Sequence, residues 1–274
     1  MDWVEAGWET LMAKIAIATF AQARLVAPPA GIAGTAATRR YFAGEGDPIH
    51  LHVHQVRGGE TIRMEPIAID RLAFVWRGVT MAGGRRLEQG SSLIVEHGAA
   101  LTITGEAAET RLVVFAAGKV PANQGAGGHV HLLPRELVPR VAASAASGTT
   151  GGLHSDGNCP SCELWLNENT LPGGGAITPE QAQKGIHAHP HDEIIFVTGG
   201  QIRLGNRLYA PGTALAIAAD TLYGFAPGPE GVSFVTFRTA KSNAIRFASG
   251  GDYVESDFWK PIGPSLKYLE PVGD

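Results

Sequence analysis

One pattern is written twice in this chain, and that repetition constrains the fold more than any other feature. Phe74-Val75 and Gly78 correspond to Phe196-Val197 and Gly200. Gly83, Arg85 and Gly90 correspond to Gly205, Arg207 and Gly212, and Leu93, Val113 and Phe115 to Leu215, Val235 and Phe237. The interval is the same throughout, 122 residues from 74 to 196 and from 115 to 237, with no gap. The repeated runs are short, rich in β-branched and aromatic residues, and closed by glycine turns, so they read as strands. A duplicated strand-and-turn plan predicts two similar all-β units in tandem. Their expected bounds are 41–141 and 159–241, with a small-residue connector over 142–158 and a tail over 242–274.

Residues 1–40 form the lead-in. Val4, Trp8, Leu11, Met12 and Ile15 recur at helical spacing, which predicts an amphipathic helix from Trp3 to about Ala23, ended by Pro28-Pro29. Its polar face carries Asp2, Glu5 and Glu9 rather than lysines, which argues against a membrane surface. A net charge of −4 without a basic block argues against nucleic acid. The acidic start does not resemble a secretory signal and two cysteines make no disulfide framework, so a cytoplasmic setting is the expectation.

The chemistry concentrates in Gly185-Ile-His187-Ala-His189-Pro-His191-Asp-Glu193, which runs into Ile194-Ile-Phe-Val-Thr-Gly-Gly200. Residues two apart on a strand point the same way, so His187, His189, His191 and Glu193 are expected on one face. Two imidazoles and a carboxylate are a ligand set that Fe(II), Mn, Ni and Zn accept.

This stretch resembles the first motif of the cupin superfamily, with His187 and His189 in its two histidine positions, Glu193 three residues later and Gly200 closing after six more. Pro211-Gly212 supplies the turn of the second motif, but Tyr223 stands where that motif has its histidine. The resemblance implies two tandem RmlC-like cupin barrels, a bicupin of double-stranded β-helix (jelly-roll) type. It also implies one divalent transition metal held by His187, His189 and Glu193, with Fe(II) favoured and Ni, Mn or Zn as alternatives. In the repeat register Glu193 falls on Arg71, His187 on Glu65, His189 on Ile67 and Tyr223 on Leu101. A guanidinium in place of the carboxylate would repel a cation, so the N-terminal unit is expected to be metal-free.

Around that centre, Tyr223 is expected as a general acid or base beside the metal, with direct ligation or plain packing as alternatives, and His191 as a spare ligand or proton shuttle. Asn167, Asn169, Arg203, Arg207 and Arg238 are candidates to line the site and clamp a carboxylate substrate, if they point inward. His50, His52 and His54 share a strand face with no carboxylate at motif spacing and read as lining residues. Cys159-Pro-Ser-Cys162 precedes a strand rather than a helix, which argues against thioredoxin-like chemistry. Two buried thiols or a local disulfide is preferred to half a zinc knuckle completed by His129, His131 or His154, because one cysteine pair stands alone. Ala176 to Lys184, an insertion relative to the first repeat, reads as a small lid.

The function these features suggest is a metal-dependent cupin oxidoreductase of dioxygenase type, acting on a small organic acid, diketone or aromatic in the C-terminal barrel. Metal-assisted isomerase or lyase chemistry on a sugar or carboxylate is the alternative, and a non-catalytic ligand-binding cupin is a third. The expected partners are a small-molecule substrate and a second copy of the chain, as a homodimer.

Overall fold

The computed structural model describes residues 14–42, 47–120, 125–142, 150–156, 159, 161–162, 164–173, 185–240, 244–254, 260–262 and 265–272. Among them the protein is all-β, with no α-helix and a 3-10 turn at Arg135–Leu137. No helix among these residues is long and apolar enough to cross a membrane.

The strands form four sheets. A seven-stranded sheet runs in the order Val130–Leu133, Ser92–Val95, Arg71–Arg77, Thr110–Ala117, Ile49–Val56, Ala37–Tyr41 and Arg24–Val26. A five-stranded sheet built on Thr61–Met64 and Leu101–Gly105 faces it, and Ile62, Met64, Ile103, Val75, Val95 and Val114 fill the space between them. In the C-terminal half a nine-stranded sheet includes Ile15–Ala18, Ala214–Ile217, Glu193–Leu204, Ala226–Arg238, Trp165–Leu171 and Thr150–Asp156, in that order. A three-stranded sheet of His187–Ala188, Ala244–Phe247 and Asp252–Val254 completes the set.

The sequence repeat becomes a repeat of pairing. Ser92 lies opposite Phe74 in the first half and Ala214 opposite Phe196 in the second, both offset by 122. His52 lies opposite Val114 as Asn167 lies opposite Thr236. The two large sheets then pack on each other through Leu51, Leu72, Trp76, Phe196, Leu166 and Val235 among others. Phe115 stacks on Phe237, its own counterpart in the repeat, with ring centroids 4.8 Å apart. The Trp76 indole N–H donates to the carbonyl of Thr198, again 122 residues on, at 2.9 Å. Equivalent positions touching each other is the signature of a two-fold relation, here between halves of one chain. At the turn Pro211-Gly212, Gly212 has φ +89° and its carbonyl accepts the Tyr41 hydroxyl at 2.6 Å. A Cβ there would sit 3.0 Å from both Phe20 and Trp76, so the close approach of the halves requires glycine.

Two expectations are corrected. Residues 1–13 of the predicted N-terminal helix lie outside the described residues, but its C-terminal part is not helical. Ile15–Ala18 is a strand, paired with Ala214–Ile217, and Arg24–Val26 is another. Ile-Ala-Ile-Ala alternates with period two, and an open sheet edge outweighs a helical spacing to which only Ile15 belongs here. Within the expected connector, Thr150–Asp156 is a strand against Trp165–Leu171. Gly151 allows it: a Cβ there would lie 2.2 Å from the Glu168 carbonyl. The predicted lid, Ala176 to Lys184, lies outside the described residues.

Candidate functional site

His187, His189, Glu193, Tyr223 and Arg238 meet in one cage, buried except at the half-buried His187, although the backbone reaches it differently from the sequence expectation. His187–Ala188 pairs with Ala244–Phe247, whereas Glu193 opens the long strand of the nine-stranded sheet. Pro190 breaks the run between them, because it supplies no N–H to a ladder. The turn is held by Asp192, whose carboxylate accepts the Ala219 N–H at 2.9 Å.

Backbone carbonyls fix both imidazoles. His187 Nδ1 lies 2.9 Å from the Gly185 carbonyl and His189 Nδ1 lies 2.9 Å from the Ala244 carbonyl. A carbonyl only accepts, so each Nδ1 carries the proton and each Nε2 presents a lone pair to the cage. His187 Nε2 is 3.0 Å from the Tyr223 hydroxyl, which also hydrogen-bonds the Glu193 carboxylate. His189 Nε2 accepts from Arg238 Nη2 at 3.2 Å.

Arg238 is the surprise of the site. It lies directly across the strand pair from Glu193, and its Nε donates to Glu193 Oε2 at 2.9 Å. Both residues are 1% exposed. Burial pushes the Glu193 carboxyl up, but the charge of Arg238, with hydrogen bonds from Tyr223 and Arg238, more than reverses this and holds it below the usual carboxylate range. On the far side the guanidinium lies over the Trp165 ring at 5.8 Å. The cage therefore has its own cation, bonded to two of the three groups proposed as metal ligands.

Asn167 and Asn169 are buried beside Thr236 and Phe234, and neither side-chain oxygen has a hydrogen-bond partner among the described residues. Two such acceptors in an apolar wall suit a polar guest. Arg203 does not join them. Pairing irregularities between Val197 and Ile202 shift the strand, so Ile202 rather than Arg203 joins Ile195 and Val197 in the core. Arg207 is exposed, and no hydrogen bond or ring contact joins the half-buried His191 to the cage. His54 is fully buried, its Nδ1 2.9 Å from the Thr38 hydroxyl, and burial lowers its pKa to about 3. It stacks against His52, which is also buried.

Among the described residues, one set of potential metal ligands has all its donor atoms within 4.8 Å of one another: Glu96, His131, Cys159 and Cys162. His187, His189 and Glu193 do not form such a set, and with Arg238 between Glu193 and His189 the cage as arranged does not fit a metal ion. Glu96 escaped the sequence reading. The signal was there, since it ends an apolar strand at a point where the repeat has Ala218.

No family model matches the chain, and no curated protein matches it in sequence. Solved structures do match. Oxalate decarboxylase from Lactobacillus farciminis, as its formate complex, superposes with a TM-score of 0.62 at 10% identity, covering 88% of each chain. A mutant of the Bacillus subtilis oxalate decarboxylase gives 0.60 at 11% identity, over 85% of this chain and 79% of that one. The E. coli protein Ylba gives 0.60 at 12% identity, over 86% and 95%. The chain has a cupin fold. At these identities the likeness extends to the fold and no further. Within this fold, the cage lies beside the strand that opens the C-terminal repeat at Glu193.

Proposed function

We propose that this protein is an enzyme built as two tandem cupin units, and that the C-terminal cage performs proton transfer on a small organic acid or carbonyl compound. The chemistry is of the isomerase or lyase class. The observation that carries this is Arg238, bonded at once to Glu193 and His189 where a metal ion would otherwise supply positive charge. In this assignment His187, with Nε2 facing inward, is the base, and Tyr223 is the acid 3.0 Å away. Asn167 and Asn169 orient the substrate through their unpaired oxygens. The positive field of Arg238 favours negative charge developing on an enolate or carboxylate. The partner is a small molecule, and self-association as a homodimer is a separate proposal, checked by light scattering.

A dioxygenase-type reaction at Fe(II) or another divalent metal on His187, His189 and Glu193 is the second reading. Both Nε2 lone pairs face inward with Nδ1 held by a carbonyl, the arrangement usual for metal-ligating histidine. Structures with this fold include the Bacillus subtilis oxalate decarboxylase with its Mn(II) centers. It requires Arg238 to leave Glu193.

Exchange of substrate hydrogen with solvent separates the two. A panel of 2-oxo and 3-oxo acids in D2O, followed by NMR, is expected to show α-deuteration that persists with chelator and disappears in His187→Ala. Exchange lost on chelation and restored by Fe(II), with O2 uptake, would overturn the metal-free assignment.

A further inference from the structure

The second donor set lies outside the cage, at the join between the two halves. Glu96 follows the strand Ser92–Val95, and His131 lies on the neighbouring strand Val130–Leu133, opposite Ile94. Cys159 and Cys162 come from the segment that leads into Trp165–Leu171 in the other half. All four are buried, Cys162 and Glu96 completely.

We propose that Glu96, His131, Cys159 and Cys162 form a closed, four-ligand zinc site that pins the two halves of the chain together. Cys159 Sγ is 3.6 Å from Glu96 Oε1 and 3.7 Å from His131 Nε2. Tetrahedral zinc, with bonds of about 2.3 Å to sulfur and about 2.0–2.2 Å to nitrogen or oxygen, places such donors roughly 3.5 Å apart. His131 Nε2 and Glu96 Oε1 are 2.7 Å apart, sharing a proton that the metal would displace. The surroundings suit a metal centre. The Cys162 N–H donates to Cys159 Sγ at 3.2 Å, the His129 N–H donates to Glu96 Oε2 at 3.1 Å, and Ser161 donates to Glu96 Oε1. Tyr268 covers the outer side of His131, ring centroids 5.1 Å apart.

Two thiolates, one imidazole and one carboxylate are a donor set that selects zinc over harder cations. Four protein ligands leave no position for substrate, so the role is structural. In the structure the cysteines are joined as a disulfide. The metal takes the reduced pair: a thiol reductant supplies two electrons and two protons to the disulfide, and each thiol releases its proton as its sulfur binds zinc. Disulfide and zinc are therefore alternative closures of the same join.

The test is protein purified with a thiol reductant and no added metal. Elemental analysis is expected to give about one zinc per chain, released when a mercurial titrates the thiols. Co(II) in its place should show thiolate charge-transfer absorption and the strong visible bands of a tetrahedral site. The double variant Cys159→Ser/Cys162→Ser should lose the metal, Glu96→Gln should bind Co(II) at least about tenfold more weakly, and His189→Ala should keep it. Reduced wild-type protein that takes up neither zinc nor Co(II) with thiolate absorption would overturn the proposal, whether or not the variants fold. So would metal retained by the double cysteine variant but lost from His189→Ala.

Discussion

Replacing Arg238 with Met tests the cage most directly. Met fills much of the same volume without charge, so the change isolates the cation. It leaves Glu193 ionised and buried without its main partner, and breaking a buried pair from one side costs about 3–5 kcal/mol. At about 2–4 °C per kcal/mol for a chain of this size, the melting temperature should fall by roughly 6–20 °C. Changing Glu193 to Leu in the same chain should recover most of the loss, because the charge is then removed together with its partner.

The same substitution predicts two further signs. In the wild type Glu193 titrates below its unfolded value, so it contributes stability above the unfolded pKa that is lost as pH falls through the folded one. Without Arg238, the burial that opposes ionisation takes over and the folded pKa rises. The variant should then gain stability on moving from pH 7 toward pH 5 relative to wild type. It should also acquire affinity for a divalent metal at His187, His189 and Glu193, and zinc or Ni(II) at one hundred times its Kd would restore about 2.7 kcal/mol. Calorimetry with and without metal measures all of this. A loss under about 1 kcal/mol, or wild-type protein already carrying a metal at this position, would refute the claim that Arg238 is the cation of the site.

Tyr223→Phe keeps the ring packing but removes the hydroxyl 3.0 Å from His187, and solvent exchange into substrate should slow by about 10²-fold or more with the melting temperature little changed. His54, buried with its pKa lowered to about 3, stabilises the neutral form; that stability is present above pH 6.5 and is lost as pH falls toward 3. His54→Gln should flatten that part of the urea-denaturation profile, and an unchanged acid limb would contradict it. Phe115→Ala empties the stacked contact with Phe237 between the halves and should cost about 3–5 kcal/mol in the same measurement.

The repeat was legible because it is carried by the spacing of apolar residues and glycines, which the sheets obey to the residue. His50, His52 and His54 pair in the first half as Trp165, Asn167 and Asn169 pair in the second, with His54 opposite Leu112 and Asn169 opposite Phe234. The cage was legible in membership but not in state. His187, His189, Glu193 and Tyr223 were readable as a motif, whereas the bond between Arg238 and Glu193 depends on strand adjacency across 45 residues. Arg203 looked equally suitable, and only pairing irregularities that spacing does not reveal turned it out of the core. Of the groups beside Cys159 and Cys162, His131 was among the candidates in the sequence, whereas Glu96, 63 residues from Cys159, was hidden for the same reason.

The pairing register also revises what the two halves have in common. Aligned by sequence, Arg71 stands on Glu193, which reads as a reversal of charge in one half. The ladder shows more: Arg71 lies opposite Ala116, and Glu193 lies opposite Arg238, at the same step of the same strand pair. Each half therefore carries one buried guanidinium at this step, donated by the central strand in one case and by its neighbour in the other. In the N-terminal half the charge is met by the carbonyls of Gly31 and Glu65, and burial draws the Arg71 pKa down to about 10. In the C-terminal half it is met by a carboxylate and an imidazole. A fixed guanidinium opposes a metal ion in the second half as it does in the first. What distinguishes the second half is a cation that has drawn an acid, two oriented imidazoles and a phenol around it.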